Sequence, residues 1–271
     1  MENTGLILDF LKEQRSIDFS GYSHDILARR IRKRFLPTGS SDFAEYLIHL
    51  QNHEEELDKL VQVITIKVSH FFRNSLTFEI IKKILQRKLE NMTEDHISLR
   101  IWSAGCASGE EVYSLAIIIV ELLKQSNLQV NIFASDIDQA ALKEAKAGIY
   151  AFESVKEVKY GLLLKYFTAS GDKFMLADSI KKMVTFSRHD LVADRSLVPA
   201  ESVYGNFDLV LCRNVLIYYN QQYQQLILQK LIQSLAPAGY LVLGDAEIPG
   251  DEFRYILNKV SPECKIYRKV Q

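Results

Sequence analysis

The sequence has little of what would mark a secreted, metal-dependent or membrane-spanning protein. Its three cysteines, Cys106, Cys212 and Cys264, are far apart in 271 residues and form no C-x-x-C pair. Neither a disulfide framework nor a zinc site is expected, and isolated thiols suit a reducing cytoplasm. The six histidines make no H-E-x-x-H pair, so metal chemistry is not expected. No apolar run approaches the length of a spanning helix. The N-terminus, MENTGLILDFLKEQ, is charged and amphipathic, without a signal-peptide pattern. No charge of one sign dominates: a formal net charge of -1 gives no global attraction to nucleic acid or to anionic lipid. G-x-G-x-x-G and Gly-Lys-Ser/Thr are also absent, which excludes a Walker A phosphate loop. What is present is 48% hydrophobic residues in a chain long enough for one large or two modest domains.

The rest of the chain is organised around Leu99 to Leu115, LRIWSAGCASGEEVYSL. A short apolar run (Leu99, Ile101, Trp102) reads as a buried strand, Gly105 and Gly109 as a turn, and EEVYSLAIIIVELL as a helix opening on two acids. Glycines in such a turn let a cofactor approach backbone N–H groups, and they equally serve tight strand–helix packing.

Before this stretch the periodicity is helical. Leu6, Ile7, Phe10 and Leu11 mark a first helix, and Leu27, Ile31 and Phe35 mark a second over about 23–35. Arg29, Arg32 and Lys33 fall opposite that stripe, with Arg30 and Arg34 flanking it. Such a patch in a neutral protein reads as a solvated face or as a dock for an acidic surface. Ser41 can cap a third helix, DFAEYLIHLQ, and a fourth runs from about Glu54 to Val63. Arg73 follows Phe71 and Phe72 in an aromatic loop, where an arginine can grip a carboxylate with two bonds. A helix over 75–92 and a polar linker over 91–96 complete this part, and the domain boundary is placed near residue 96.

From Leu99 the pattern is strand–helix alternation, which predicts a parallel sheet with crossover helices. Strands are expected at 99–103, 130–135, 183–187, 207–212 and 240–243. Residues 149–182 interrupt the alternation and read as an insertion with a small hairpin, Tyr166-Phe167 pairing with residues 173–176. The tail, 253–258 and 265–268, is assigned a last helix and an edge strand. Strand ends then carry Glu110, Asp136, Asp190 and Arg213-Asn214 with Tyr218, groups that adjacent parallel strands bring to one crevice. Asp138 reads as a helix cap, whereas Asp136, at the carboxyl end of its strand, is placed to accept two ribose hydroxyls. An acid for ribose, a polar residue for an adenine edge and glycines for the tail suit a nucleoside.

Six segments in this order, RRIRKRF, SHFFRN, IWSAGCASGEEVYSLA, ASDID, FDLVLCRNVLIYY and GYLVLGDAE, are similar to the chemotaxis receptor glutamate methyltransferases of the CheR type. The resemblance spans essentially the whole chain. It implies a Rossmann-like class I S-adenosylmethionine-dependent methyltransferase domain (97–271), an α/β fold with a small inserted antiparallel β-subdomain at about 149–182. An all-α N-terminal domain (1–96) precedes it, docks on the receptor and contributes to the active site. The implied activity is methylation of glutamate carboxylates on the cytoplasmic helical domain of chemoreceptors, with S-adenosylhomocysteine as product. Carried over by position, the cofactor contacts are Ser69, Arg73, Ala104, Glu110, Asp136, Ile137, Asp190, Leu191, Arg213 and Asn214, with Gly105 in the turn. Lys67 stands at a further contact position where the family usually has a polar, uncharged residue. Arg73 and Tyr218 are the catalytic pair by this resemblance, Arg73 holding either the acceptor carboxylate or the cofactor's own. Arg29, Arg32 and Lys33 become the receptor dock, and the insertion offers a place for a receptor's C-terminal tether peptide, as in some members. A nucleic-acid substrate is disfavoured by the neutral charge and by the lack of an Asn-Pro-Pro-Tyr motif. Gly244-Asp245-Ala246-Glu247 departs from the family's usual glycine–histidine–serine–glutamate, and no role is assigned to it.

Overall fold

Apolar residues recurring at three and four build the N-terminal part of the computed structural model, which describes residues 2–15, 17–65, 69–91, 98–123, 129–192 and 196–270. The chain divides into two units, Met1–Val68 with Ile217–Leu226, and Ser69–Leu216 with Ile227–Gln271. Lys67 and residues 92–97 lie outside the described residues.

In the first unit, α1 (Glu2–Arg15) buries Ile7 and Leu11, and α2 (His24–Phe35) buries Leu27, Ile31 and Phe35. Helices α3 (Phe43–Asn52) and α4 (Glu54–Ile64) add Tyr46, Leu50, Leu57, Leu60 and Ile64 to the same core. Asp42, not Ser41, caps α3: its carboxylate accepts the Glu45 amide at 2.9 Å. Ser41 instead donates its amide and hydroxyl to the Glu45 carboxylate, both at 2.7 Å, so the return bond from the first turn reaches the residue before the cap.

The five basic residues of α2 separate by helical phase. Arg29, Arg32 and Lys33 are exposed. Arg34 turns inward and forks onto Glu56 at 2.6 and 2.5 Å, where Tyr46 Oη also donates, at 3.0 Å. Burial pushes the Glu56 carboxyl up, but the Arg34 and Tyr46 bonds outweigh it and leave the group below its ordinary range. Arg30 is buried, donates to the Ile64 carbonyl, and lies 4.5 Å from the centre of the Tyr218 ring. Residues 217–226 are tied to this unit by main-chain bonds from Ser23 to Tyr218 O (2.8 Å) and from Asn220 to Gly21 O (2.9 Å). Tyr218 stacks parallel to Tyr22 at 6.5 Å.

The second unit opens with α5 (Ser75–Glu90) and alternates β1 (Ser98–Ala104), α6 (Glu110–Leu122), β2 (Gln129–Asp136) and α7 (Gln139–Ala147). The chain divides near residue 68 rather than 96 because α5 belongs here: Phe78, Ile81 and Leu85 pack into one core with β1 and α6. The insertion holds more than a hairpin. It comprises β3 (Ile149–Ala151), α8 (Phe152–Val155), α9 (Tyr160–Tyr166), β4 (Phe167–Ser170), β5 (Lys173–Leu176) and α10 (Asp178–Lys181). The three strands form a separate antiparallel sheet in the order β3-β5-β4.

Next come β6 (Val184–Arg188), β7 (Phe207–Cys212), α11 (Gln221–Ser234), β8 (Leu235–Leu243), β9 (Leu257–Lys259) and β10 (Ile266–Lys269). The main sheet runs β6-β2-β1-β7-β8-β10-β9, parallel from β6 to β8, with β10 antiparallel to both β8 and β9. All six residues of β7 are buried, as expected of a strand covered on both faces. The tail departs from the sequence reading. Residues 251–253 form one 3-10 turn, 257–259 form a strand, and β10 is interior with β9 at the edge.

Candidate functional site

Parallel strands place their carboxyl ends on one edge of a sheet, and here those ends are Ala104 of β1, Asp136 of β2, Arg188 of β6, Cys212 of β7 and Leu243 of β8. The chain leaves β1 through Gly105, at φ +74°, whose amide donates to Ser135 O at 2.8 Å. A β-carbon on Gly105 would lie 2.4 Å from Val215 Cγ2, so close packing as well as φ demands glycine.

Asp136 closes on this turn. Its Oδ2 accepts the Ala107 amide at 2.8 Å and its Oδ1 the Asp138 amide at 2.9 Å. Two of a carboxylate's roughly four acceptor positions are thereby used to aim the group. Asp138 caps α7, accepting the Ala140 and Ala141 amides. Ile137 O accepts from Arg188 Nε, and Asp190 accepts the Val192 amide at 2.8 Å in a tight turn. Leu191 is buried, and its carbonyl accepts from Lys230 at 3.0 Å.

Glu110 opens α6 after Gly109, itself at φ +92°, and is 3% exposed. Ser108 Oγ donates to its carboxylate at 2.8 Å, and Ser154 Oγ reaches it at 3.4 Å. Ser69 bonds to the same carboxyl, so the segment before Arg73 meets the start of α6. Burial dominates and pushes the Glu110 carboxyl up, against the bonds it accepts.

Arg73 sits in a loop of unusual backbone. Phe72 and Asn74, on either side of it, adopt φ of 56° and 62°. Left-handed conformations in residues with a β-carbon cost on the order of 1–3 kcal/mol each and persist only where neighbours enforce them. Those neighbours are identifiable. Phe71 N donates to Ser154 O at 2.8 Å, and Phe72 N donates to Ser114 Oγ at 2.9 Å. Arg213 donates from Nη2 to Arg73 O at 3.1 Å and to Asn74 Oδ1 at 3.3 Å. Arg213 also donates from Nη1 to Glu111 at 3.1 Å, and its side chain is 2% exposed.

Ser69, Arg73, Ala104, Gly105, Glu110, Asp136 and Arg213 are thus joined by direct bonds or chain adjacency around residues 104–111. Ile137, Asp190, Leu191 and Asn214 lie in the adjoining strand-end loops. Tyr218, Arg29, Arg32 and Lys33 belong to the first unit, and Lys67 lies outside the described residues. Two residues were passed over by the sequence reading. Glu111 is the partner of Arg213, and Glu247 accepts the amides of Asn214, Val215, Leu216 and Gly244. An acid beside a second acid at the head of an otherwise apolar helix is the one local signal for Glu111.

The chemistry of this donor set fits a nucleoside carrying an amino acid tail: carboxylates for hydroxyls and for an ammonium, an arginine for a carboxylate. The comparisons with known proteins agree with it. Residues 3–65 match the CheR methyltransferase all-alpha domain, and residues 67–259 match the CheR methyltransferase SAM binding domain. The chemotaxis protein methyltransferase of Listeria innocua is 33% identical over 238 residues, covering 88% of this chain and 86% of its own. The protein of the same name from Escherichia coli is 30% identical over 247 residues, covering 89% and 82%. Chemotaxis protein methyltransferase 2 of Pseudomonas aeruginosa is 33% identical over 226 residues, covering 82% and 76%.

Proposed function

The chain belongs to the CheR methyltransferase family, whose cofactor is S-adenosylmethionine, and we propose that it methylates glutamate side chains of chemoreceptors in the cytoplasm. The observation that carries this reading is the enforced loop of Arg73, tied to the same turn as the buried Glu110 and the aimed Asp136. Asp136 would hold the ribose diol, Glu110 the ammonium of the tail, and Ser69 and Arg73 the carboxylate end. The main chain at 104–105 and the loops at Ile137, Asp190-Leu191 and Asn214 would line the purine and sugar.

When bound, S-adenosylmethionine supplies a methyl group already activated on a sulfonium sulfur. A glutamate acceptor is ionised at neutral pH, its reference pKa being about 4.3, so the protein has no proton to remove. The work left to the residues is alignment and exclusion of water, and orientation alone can be worth several kcal/mol. Arg73 is assigned the carboxylate that must be fixed.

Two results are expected from calorimetric titration with S-adenosylhomocysteine. Asp136→Ala should weaken binding at least about a hundredfold, because it removes a charge-assisted acceptor and releases the Ala107 amide as well. Wild-type affinity should also fall on acidification from a pH above the ordinary carboxylate range. Glu110 free of ligand has a raised pKa, and an ammonium binds only its ionised form, so binding expels a proton below that value. Glu110→Gln should flatten this slope. An unchanged slope in that variant would assign the proton to another group.

Arg29, Arg32 and Lys33 supply the exposed positive surface for acidic receptor helices, and the β3-β5-β4 sheet is the place for a tether peptide. The reading is tested by incubating the protein with methyl-labelled cofactor and a receptor cytoplasmic fragment. Label released from glutamate by mild alkali is the expected result, since methyl esters hydrolyse there. Alkali-stable label, or none, would overturn it. Reversing the three basic charges should raise the receptor KM about tenfold and leave S-adenosylhomocysteine binding unchanged.

A further inference from the structure

The family resemblance treats Arg213 as a cofactor contact, but its guanidinium is engaged elsewhere. Its side chain is 2% exposed, and its bonds run to Glu111, to the Arg73 carbonyl and to the Asn74 side chain. The Phe78 ring of α5 lies 5.5 Å from it. Glu111 in turn is fixed by Ser103 Oγ at 3.1 Å, so the pair is anchored to β1. The other end of the Arg73 loop is anchored to α6, where Ser114 accepts the Phe72 amide and donates to Glu110 O at 2.6 Å.

We propose that Glu111 and Arg213 form a buried positioning pair which aims Arg73 by its main-chain carbonyl, rather than a pair that touches the cofactor. This inference rests on the reading of Arg73 given above. The physical argument is one of enforcement. Two left-handed residues flank Arg73, and a loop in that state relaxes unless bonds on both sides hold it. Arg213 holds the C-terminal side with two bonds from one nitrogen, and Ser114 holds the N-terminal side with one. Glu111 pairs with the guanidinium and turns it toward the loop, so that no lone charge is left in the interior. A lysine could not replace Arg213, since only the planar fork serves Glu111 and the loop at once.

A double-mutant cycle distinguishes aiming from general stability. S-adenosylhomocysteine affinity and kcat/KM for the receptor fragment are measured in wild type, Arg73→Ala, Glu111→Gln and the double variant. Glu111→Gln should lose tenfold or more in both quantities in the wild-type background and less than twofold once Arg73 is gone. Ser114→Ala leaves the ion pair intact and frees the other end of the loop, so it repeats the cycle if Glu111→Gln folds poorly. It too should lose activity only while Arg73 is present. Losses that add in both cycles would overturn the inference and leave the reading of Arg73 standing. Should Arg73→Ala itself bind and turn over as wild type, both would fall.

Discussion

Arg73→Ala is expected to reduce methyl transfer by about 10²–10³-fold, the loss typical of removing one preorganised charged or polar donor from a reacting centre. The protein should remain folded. The side chain of Arg73 is only partly buried, and the bonds that hold its loop use main-chain atoms and the side chains of Ser114, Asn74 and Arg213. Truncation therefore removes the guanidinium and leaves the scaffold that aims it. Arg73→Lys keeps the charge but replaces a planar fork by a point, so it should recover only part of the loss. Single-turnover transfer to the receptor fragment gives the rate, and thermal unfolding checks the fold. S-adenosylhomocysteine titration then separates two roles. If affinity falls with the rate, Arg73 grips the cofactor's carboxylate. If the rate falls alone, it orients the acceptor. Wild-type turnover in Arg73→Ala would remove it from the site.

The strand ends around the candidate site were legible because strand patterning is local. Alternation placed β1, β2, β6 and β7 within a residue or two, which put Asp136 at the carboxyl end of β2. Helical phase likewise sorted Arg29, Arg32 and Lys33 from Arg30 and Arg34. What escaped depends on contacts far apart in sequence. Glu111 and Arg213 are 102 residues apart, and nothing local says which acid of Gly-Glu-Glu turns toward β1 and which toward Ser108. The polar run at 91–96 looked like a domain boundary because its composition is that of a linker. The stripe of α5 overrides it by completing the core under β1 and α6. The tail was misread for the same reason. Residues 257–259 pair with Lys269, Arg268 and Tyr267, and that pairing decides for strand over helix.

Glu247→Ala should be the most damaging single change to stability in the second unit, by about 4 kcal/mol or more. Glu247 is 3% exposed and accepts four main-chain amides, Gly244 at 2.6 Å, Leu216 at 2.7 Å, Val215 at 2.8 Å and Asn214 at 2.9 Å. Each buried donor left without an acceptor costs about 1–3 kcal/mol, and the two buried ones, Gly244 and Leu216, have least access to water. The loop it holds has little strength of its own, since Asn214 adopts φ +60°. Gly244 is part of the same device: a β-carbon there would lie 2.7 Å from Asn214 N and 2.8 Å from Glu247 Oε2. Glu247→Gln divides the effect. Its one oxygen can still accept two amides, but its NH2 would face two donors, so about half of the loss is expected. Urea unfolding of the three proteins measures the series, with wild type, Gln and Ala in descending order. Because the loop carries Arg213 and Asn214, S-adenosylhomocysteine affinity should fall in the same order. Equal stability of Ala and Gln would mean that water reaches these amides when the carboxylate leaves. The fold after β7 would then be held by packing of Leu216 and Val215 and not by the buried anion.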